Sequence, residues 1–162
     1  MNYMQRMGKL LRFGKPGERR RRPRNEASRG LRVLVVDDSR TVVAVLSRML
    51  EQNEMTPVGA ADAEEGLERV RERLPDLIFL DIILPGMNGF LMLRKLRADP
   101  ATANIPVVMI SGDEAAVEQF FLDRIGADDF MKKPFGRAEV FARIERLVEA
   151  GRLPARPRTF AG

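Results

Sequence analysis

Five side chains of this sequence are able to do chemistry together: Asp37, Asp38, Asp81, Ser111 and Lys133. The first two close the stretch VLVVDD (33–38), four apolar residues followed by two adjacent carboxylates. Neighbouring aspartates repel each other, and an apolar run signals burial, where ionised acids are costly. Alone, such a pair is most often a solvated cap after a strand. The chain contains no cysteine and no histidine, which excludes disulfides, Cys/His zinc sites and any mechanism needing a resident imidazole base. Carboxylates, hydroxyls and amines remain. If Asp37, Asp38 and Asp81 converge, a hard divalent cation, Mg²⁺ (or Mn²⁺), offsets their repulsion most cheaply. A hydroxyl at Ser111 and an ammonium at Lys133 are the donors that the oxygens of an incoming phosphoryl group would need. Asp81 is then left as the nucleophile.

Convergence depends on the elements that carry these residues. From Leu31 the chain alternates short apolar runs with amphipathic segments. LRVLVV (31–36), MTPVGAA (55–61), DLIFLD (76–81), IPVVMIS (105–111) and DDFMKKP (128–134) predict strands. Helical spacing follows each: from Ser39, from Asp62 or Ala63 to Leu74, from Phe90 to Arg97, from Glu114 to Ile125, and from Arg137. Ser39 and Asp62 suit N-caps, and Gly126 and Gly151 suit helix stops. Five strands, each followed by a helix, with the first and third almost wholly apolar, predict a doubly wound parallel sheet covered on both faces. Ligands of such folds bind beyond the carboxyl ends of the strands. Asp37-Asp38, Asp81, Ser111 and Lys133 end the first, third, fourth and fifth predicted strands, so all fall at that one edge.

These stretches, VLVVDDS, LDIILPGMNG, VMISG and MKKPF, resemble the receiver domain of two-component response regulators in its CheY-like, single-domain form, over about residues 31–149. The resemblance implies a flavodoxin-like α/β fold with strand order 2-1-3-4-5. It implies that Asp81 accepts a phosphoryl group from a phosphohistidine on a sensor histidine kinase or phosphotransfer protein. Asp37, Asp38, Asp81 and the backbone carbonyl of Ile83 would hold the metal, while Ser111 and Lys133 would contact the acyl phosphate. Ser111 and Phe130 match the switch pair of the family; Phe130 lacks the hydroxyl of the commoner tyrosine. Ile83 and Asp113 match positions that tune water access, and the Lys133-Pro134 bond is expected to be cis. Output is expected by protein contact with a downstream target through the fourth helix, fifth strand and fifth helix, where Phe120, Phe121 and Phe141 add aromatic area. A chemotaxis-like or pilus-driven twitching motility pathway is the expected setting, and a monomer or weak dimer the expected state.

Charge is unevenly spread: +8 over residues 1–30, −6 over 31–149 and +3 over 150–162. Residues 31–150 are expected to form the receiver, and 151–162 a short basic tail. Met1, Met4, Met7 and Leu10/Leu11 stand three or four apart with Arg6, Lys9 and Arg12 between them, an amphipathic pattern; KPGERRRRPRNEASRG after it reads as a disordered arm. The arm suits contact with an anionic membrane surface better than nucleic acid, since stacking aromatics are nearly absent. No helix-turn-helix follows, so no DNA-binding domain is expected. Apolar runs are too short to cross a bilayer and no signal-peptide pattern is present, which points to the cytoplasm. Two other readings stand beside this one. A haloacid-dehalogenase-type phosphatase would place a second acid two residues after the nucleophile, where this chain has Ile83. A phosphorylation-independent scaffold would use the receiver surface alone.

Overall fold

The computed structural model describes residues 26–123 and 126–157; of residues 119–125 no side chain is described. Its elements run β1 (Arg32–Val36), α1 (Arg40–Gln52), β2 (Thr56–Ala60), α2 (Ala63–Glu72), β3 (Leu77–Asp81), α3 (Gly89–Ala98), β4 (Val107–Ser111), α4 (Glu114–Asp123), β5 (Asp129–Lys132) and α5 (Arg137–Glu149). The strands form one parallel sheet in the order β2-β1-β3-β4-β5. This is the flavodoxin-like arrangement expected from the sequence.

The period-two pattern divides the core into two layers. Val33, Val35, Leu77, Phe79, Val108 and Ile110 face one way and pack with Leu46 and Leu50 of α1 and Val140 and Ile144 of α5. Leu34, Val36, Ile78, Leu80, Val107 and Met109 face the other way, toward α2 and α3. Every residue of β3 and β4 is buried, as central parallel strands require. Pro57 is confined to β2, an edge strand, where its missing N–H removes no interior ladder bond.

Local signals set the helix limits. Ser39 Oγ accepts from the Val42 N–H at 3.3 Å and Asp62 Oδ1 from the Glu65 N–H at 2.7 Å, so both expected N-caps are present. Asn88, which the hydrophobic spacing did not single out, caps α3 by accepting from the Leu91 N–H at 2.9 Å. Helix α2 ends at Glu72, short of Leu74, because Arg73 turns extended and the residue before Pro75 disfavours the helical region. Gly151 takes φ +71° just beyond α5, and its N–H bonds the Val148 carbonyl at 3.0 Å. The end expected for α4 at Ile125 lies outside the described residues.

Packing extends past the limits expected for the receiver at Leu31 and Ala150. Ala27 and Leu153 are buried in the α1/α5 layer. An antiparallel bridge joins Ala27 to Ala155, the Ser28 N–H donates to the Pro154 carbonyl at 2.9 Å, and Arg156 pairs with Glu26 at 2.9 Å. Two small apolar side chains and a three-point clasp thus bring residues 26–30 into the body, where composition alone suggested disorder. The pattern read in residues 1–25, with its membrane contact, lies outside the described residues, as do the side chains of Phe120 and Phe121. Among the described residues, no helix is long and apolar enough to cross a membrane.

Candidate functional site

Each candidate residue sits at the carboxyl edge of the sheet. Asp37 and Asp38 follow β1, Asp81 and Ser111 are the last residues of β3 and β4, and Lys133 comes one residue after β5. Backbone bonds continue the sheet through them. The Asp37 N–H donates to the Ala60 carbonyl at 3.1 Å, and the Lys133 N–H to the Ser111 carbonyl at 3.0 Å.

Asp37, Asp81 and Ser111 are buried, whereas Asp38 is exposed. Carboxylate oxygens of Asp37, Asp38 and Asp81 lie within 4.8 Å of one another. The Lys133 ammonium stands between two of these acids, 2.6 Å from Asp37 Oδ2 and 3.1 Å from Asp81 Oδ2. Only the second contact has hydrogen-bond geometry, so Asp37 Oδ2 is a buried oxygen with a close cation but no directed donor. The other oxygens are oriented by the backbone: Asp37 Oδ1 accepts from the Ser39 N–H at 2.9 Å, and Asp81 Oδ1 from the Ile83 N–H at 3.3 Å.

Electrostatics follow from this crowding. Burial, and then the charge of Asp37, push the Asp81 carboxyl up to about 6, although Lys133 and the Ile83 N–H oppose them. Burial pulls the Lys133 ammonium down, but its contacts with Asp37 and Asp81 outweigh that and leave its pKa raised. Lys133 therefore stays charged at neutral pH, and one cation is set against three converging acids. An all-oxygen donor set with an undirected buried oxygen fits a hard divalent cation.

One neighbour positions Asp81 in a way that the sequence reading did not weigh. A Cβ on Gly89 would lie 2.2 Å from the Asp81 carbonyl oxygen and 2.9 Å from Ile82 Cα, so only glycine admits this approach of α3 to β3. The Gly89 N–H also bonds the Ile82 carbonyl at 2.9 Å. A glycine directly after the capping Asn88, at the first position of a helix, was the available signal. Asp113 serves the start of α4: its Oδ1 accepts from the Ala116 N–H at 2.9 Å, and its own N–H donates to Ser111 Oγ at 3.1 Å. Ile83 is 54% exposed beside the site. Phe130 is half-buried against the α2/α3 layer, in register with Met109 of β4. The Lys133-Pro134 bond is cis.

Residues 33–145 match the model of the response regulator receiver domain. The chain belongs to this family. The receiver is 32% identical over 124 residues to the alkaline phosphatase synthesis transcriptional regulatory protein PhoP of Bacillus subtilis, covering 76% of this chain and 51% of that one. It is 38% identical over 117 residues to response regulator PleD of Caulobacter vibrioides, covering 72% of this chain and 26% of that one. Among solved structures it is similar to Vibrio cholerae chemotaxis protein CheY4, at 25% identity and a TM-score of 0.66 over 72% of this chain and 98% of that one. The chain thus spans a quarter to a half of the two curated relatives and nearly all of the CheY4 structure. Receivers are signalling domains that work with histidine kinases, and they typically bind Mg²⁺ at an acidic pocket such as this one.

Proposed function

We propose that this receiver is switched by phosphorylation of Asp81. A carboxylate oxygen of Asp81 attacks phosphorus, the P–N bond of a partner's phosphohistidine breaks, and the electron pair stays with the departing imidazole. Asp37, Asp38 and Asp81, with the Ile83 carbonyl, would hold Mg²⁺ or Mn²⁺. When bound, that cation offsets charge on the phosphoryl oxygens in a loose transition state. Lys133 supplies the second positive charge, and its place between Asp37 and Asp81 means that it shifts from a carboxylate to the phosphoryl group without crossing the site. The strand ends hold Asp81 in line for attack, which removes much of the orientational cost. Ser111 takes another phosphoryl oxygen, and its inward movement is followed by Phe130 as an apolar exchange at β5.

Output runs by contact of α4, β5 and α5 with a downstream protein. The Arg143 guanidinium couples two of these elements, because its Nε donates to the Phe130 carbonyl at 3.1 Å. Similarity to a chemotaxis protein over nearly that protein's whole length favours a chemotaxis-like or pilus-driven motility pathway. The observation that carries the proposal is one lysine ammonium held between two buried carboxylates from separate strands. Incubation with acetyl phosphate and Mg²⁺, followed by intact mass measurement, is expected to add one phosphoryl mass to the wild type and none to Asp81→Asn. Equal uptake by both proteins would overturn the assignment of Asp81.

A further inference from the structure

One cavity among the described residues lies away from the phosphoryl site. A groove of about 480 Å³ lies where α5 passes the end of α1, completed by Glu26, Ala27 and Arg156 of the flanking segments. Ala27, Met55, Ala138, Phe141, Ala142 and Ile144 line it. Ala138 and Ala142 stand one helical turn apart, so small side chains open the trough along α5. The Arg137 guanidinium is already engaged, 4.9 Å over the Phe141 ring and bonded to Gln52. Arg156 is paired with Glu26 and Glu54. Glu145, also on the wall, makes no ion pair among the described residues. The groove is therefore apolar at its base and keeps an unpaired acid beside it.

We infer that residues 1–14 of the same chain occupy this groove. Glu26, the first described residue, is itself part of the groove wall, so the preceding chain leaves from the mouth of the cavity. Residues 1–14 carry Met1, Met4, Met7, Leu10 and Leu11 at helical spacing, with Arg6, Lys9 and Arg12 and no acid. Methionine and leucine suit an irregular apolar trough, the first because it is unbranched and adaptable. The three cations are opposite in sign to a body of net charge −6 and, at the groove, to Glu145.

Reach is sufficient. Eleven residues separate residue 14 from Glu26, and a chain of that length reaches up to ~36 Å when extended, more than the ~20 Å length of a 13-residue helix such as α5. Tethering at the mouth gives an effective concentration on the order of millimolar, an advantage that a second copy lacks at ordinary protein concentrations. The arm then covers the flank of α5 that faces α1, and a partner binding that flank has to displace it. This inference does not depend on Asp81 chemistry.

Methyl and amide NMR of the full chain tests it. Replacing Met4→Glu, Met7→Glu and Leu10→Glu together is expected to shift the resonances of Met55, Ala142 and Ile144, by the same amount at every protein concentration. Ala142→Arg, which fills the trough from the other side, is expected to shift the methyls of Met4 and Met7. Groove resonances indifferent to the arm substitutions would overturn the inference. So would shifts that fade on dilution, which would assign the groove to a second copy. So would arm resonances that ignore Ala142→Arg and move only when phosphatidylglycerol vesicles are added, which would return the arm to a membrane surface.

Discussion

The two ends of the sheet treat their aspartates in opposite ways. At the amino edge, Asp128 accepts from the Val107 N–H at 2.8 Å and pairs with Arg97 at 3.2 Å and Arg152 at 2.7 Å. Arg97 in turn donates to the carbonyls of Gly126, Ala103 and Ile105, so acid and base are both satisfied. At the carboxyl edge, three acids share one lysine, and Asp37 Oδ2 lacks a directed donor. The first arrangement is closed and ties α3, β4, β5 and the C-terminal segment together. The second is incomplete, as the proposed exchange of a cation and a phosphoryl group requires. Satisfied charge holds the fold, and unsatisfied charge marks where the chemistry is.

Substitutions at the two ends should therefore separate stability from function. Asp128→Ala leaves Arg97 largely buried without its partner, and urea denaturation is expected to show a loss of about 3 kcal/mol, while the molecules that remain folded still take up a phosphoryl group. Loss of phosphoryl uptake without loss of stability would erase the contrast. Gly89→Ala forces a Cβ against the Asp81 carbonyl. We expect a cost of about 1–3 kcal/mol, typical of overpacking, together with slowed phosphorylation by acetyl phosphate. A variant as fast as wild type would mean that the approach of α3 does not position Asp81.

A smaller effect of opposite sign is expected from Asp81→Asn in the absence of metal. It removes a charge that burial and Asp37 disfavour, and stability at pH 7.5 should rise by about 1 kcal/mol. The effect fades as pH falls. The folded Asp81 carboxyl titrates near 6 against an ordinary 3.8, so the wild type holds a proton on folding that the unfolded chain has lost. Its relative stability is fully present below 3.8 and is lost as pH rises through about 6, so the advantage of Asp81→Asn should vanish by pH 4. Thermal unfolding of both proteins across that window measures it.

Much of this contrast was legible in the sequence at one end and hidden at the other. The carboxyl-edge acids announce themselves because each follows an apolar strand, and period-two burial with a regular strand–helix alternation forces all the strand ends to one edge. Asp128 gives no such signal: its partners Arg97 and Arg152 lie 31 and 24 residues away, and only the folded chain brings the three together. Gly89 offered only the weak signal of a glycine directly after the capping Asn88, since a close backbone approach is a property of α3 meeting β3. The inner ends of the flanks were hidden for the same reason. Residues 26–30 look like linker by composition, yet Ala27 finds a buried place because Leu153 and Ala155 return to meet it.

The central claim is that the acids of the carboxyl edge are held apart for a divalent cation, whereas Asp128 is not. Amide NMR during a Mg²⁺ titration tests it most directly. The account predicts saturable shifts at Asp37, Asp38, Asp81 and Ile83, absent in Asp81→Asn at the same Mg²⁺ concentration, with Asp128 and Val107 unmoved. Site resonances that ignore Mg²⁺, or that move no more than those around Asp128, would contradict it.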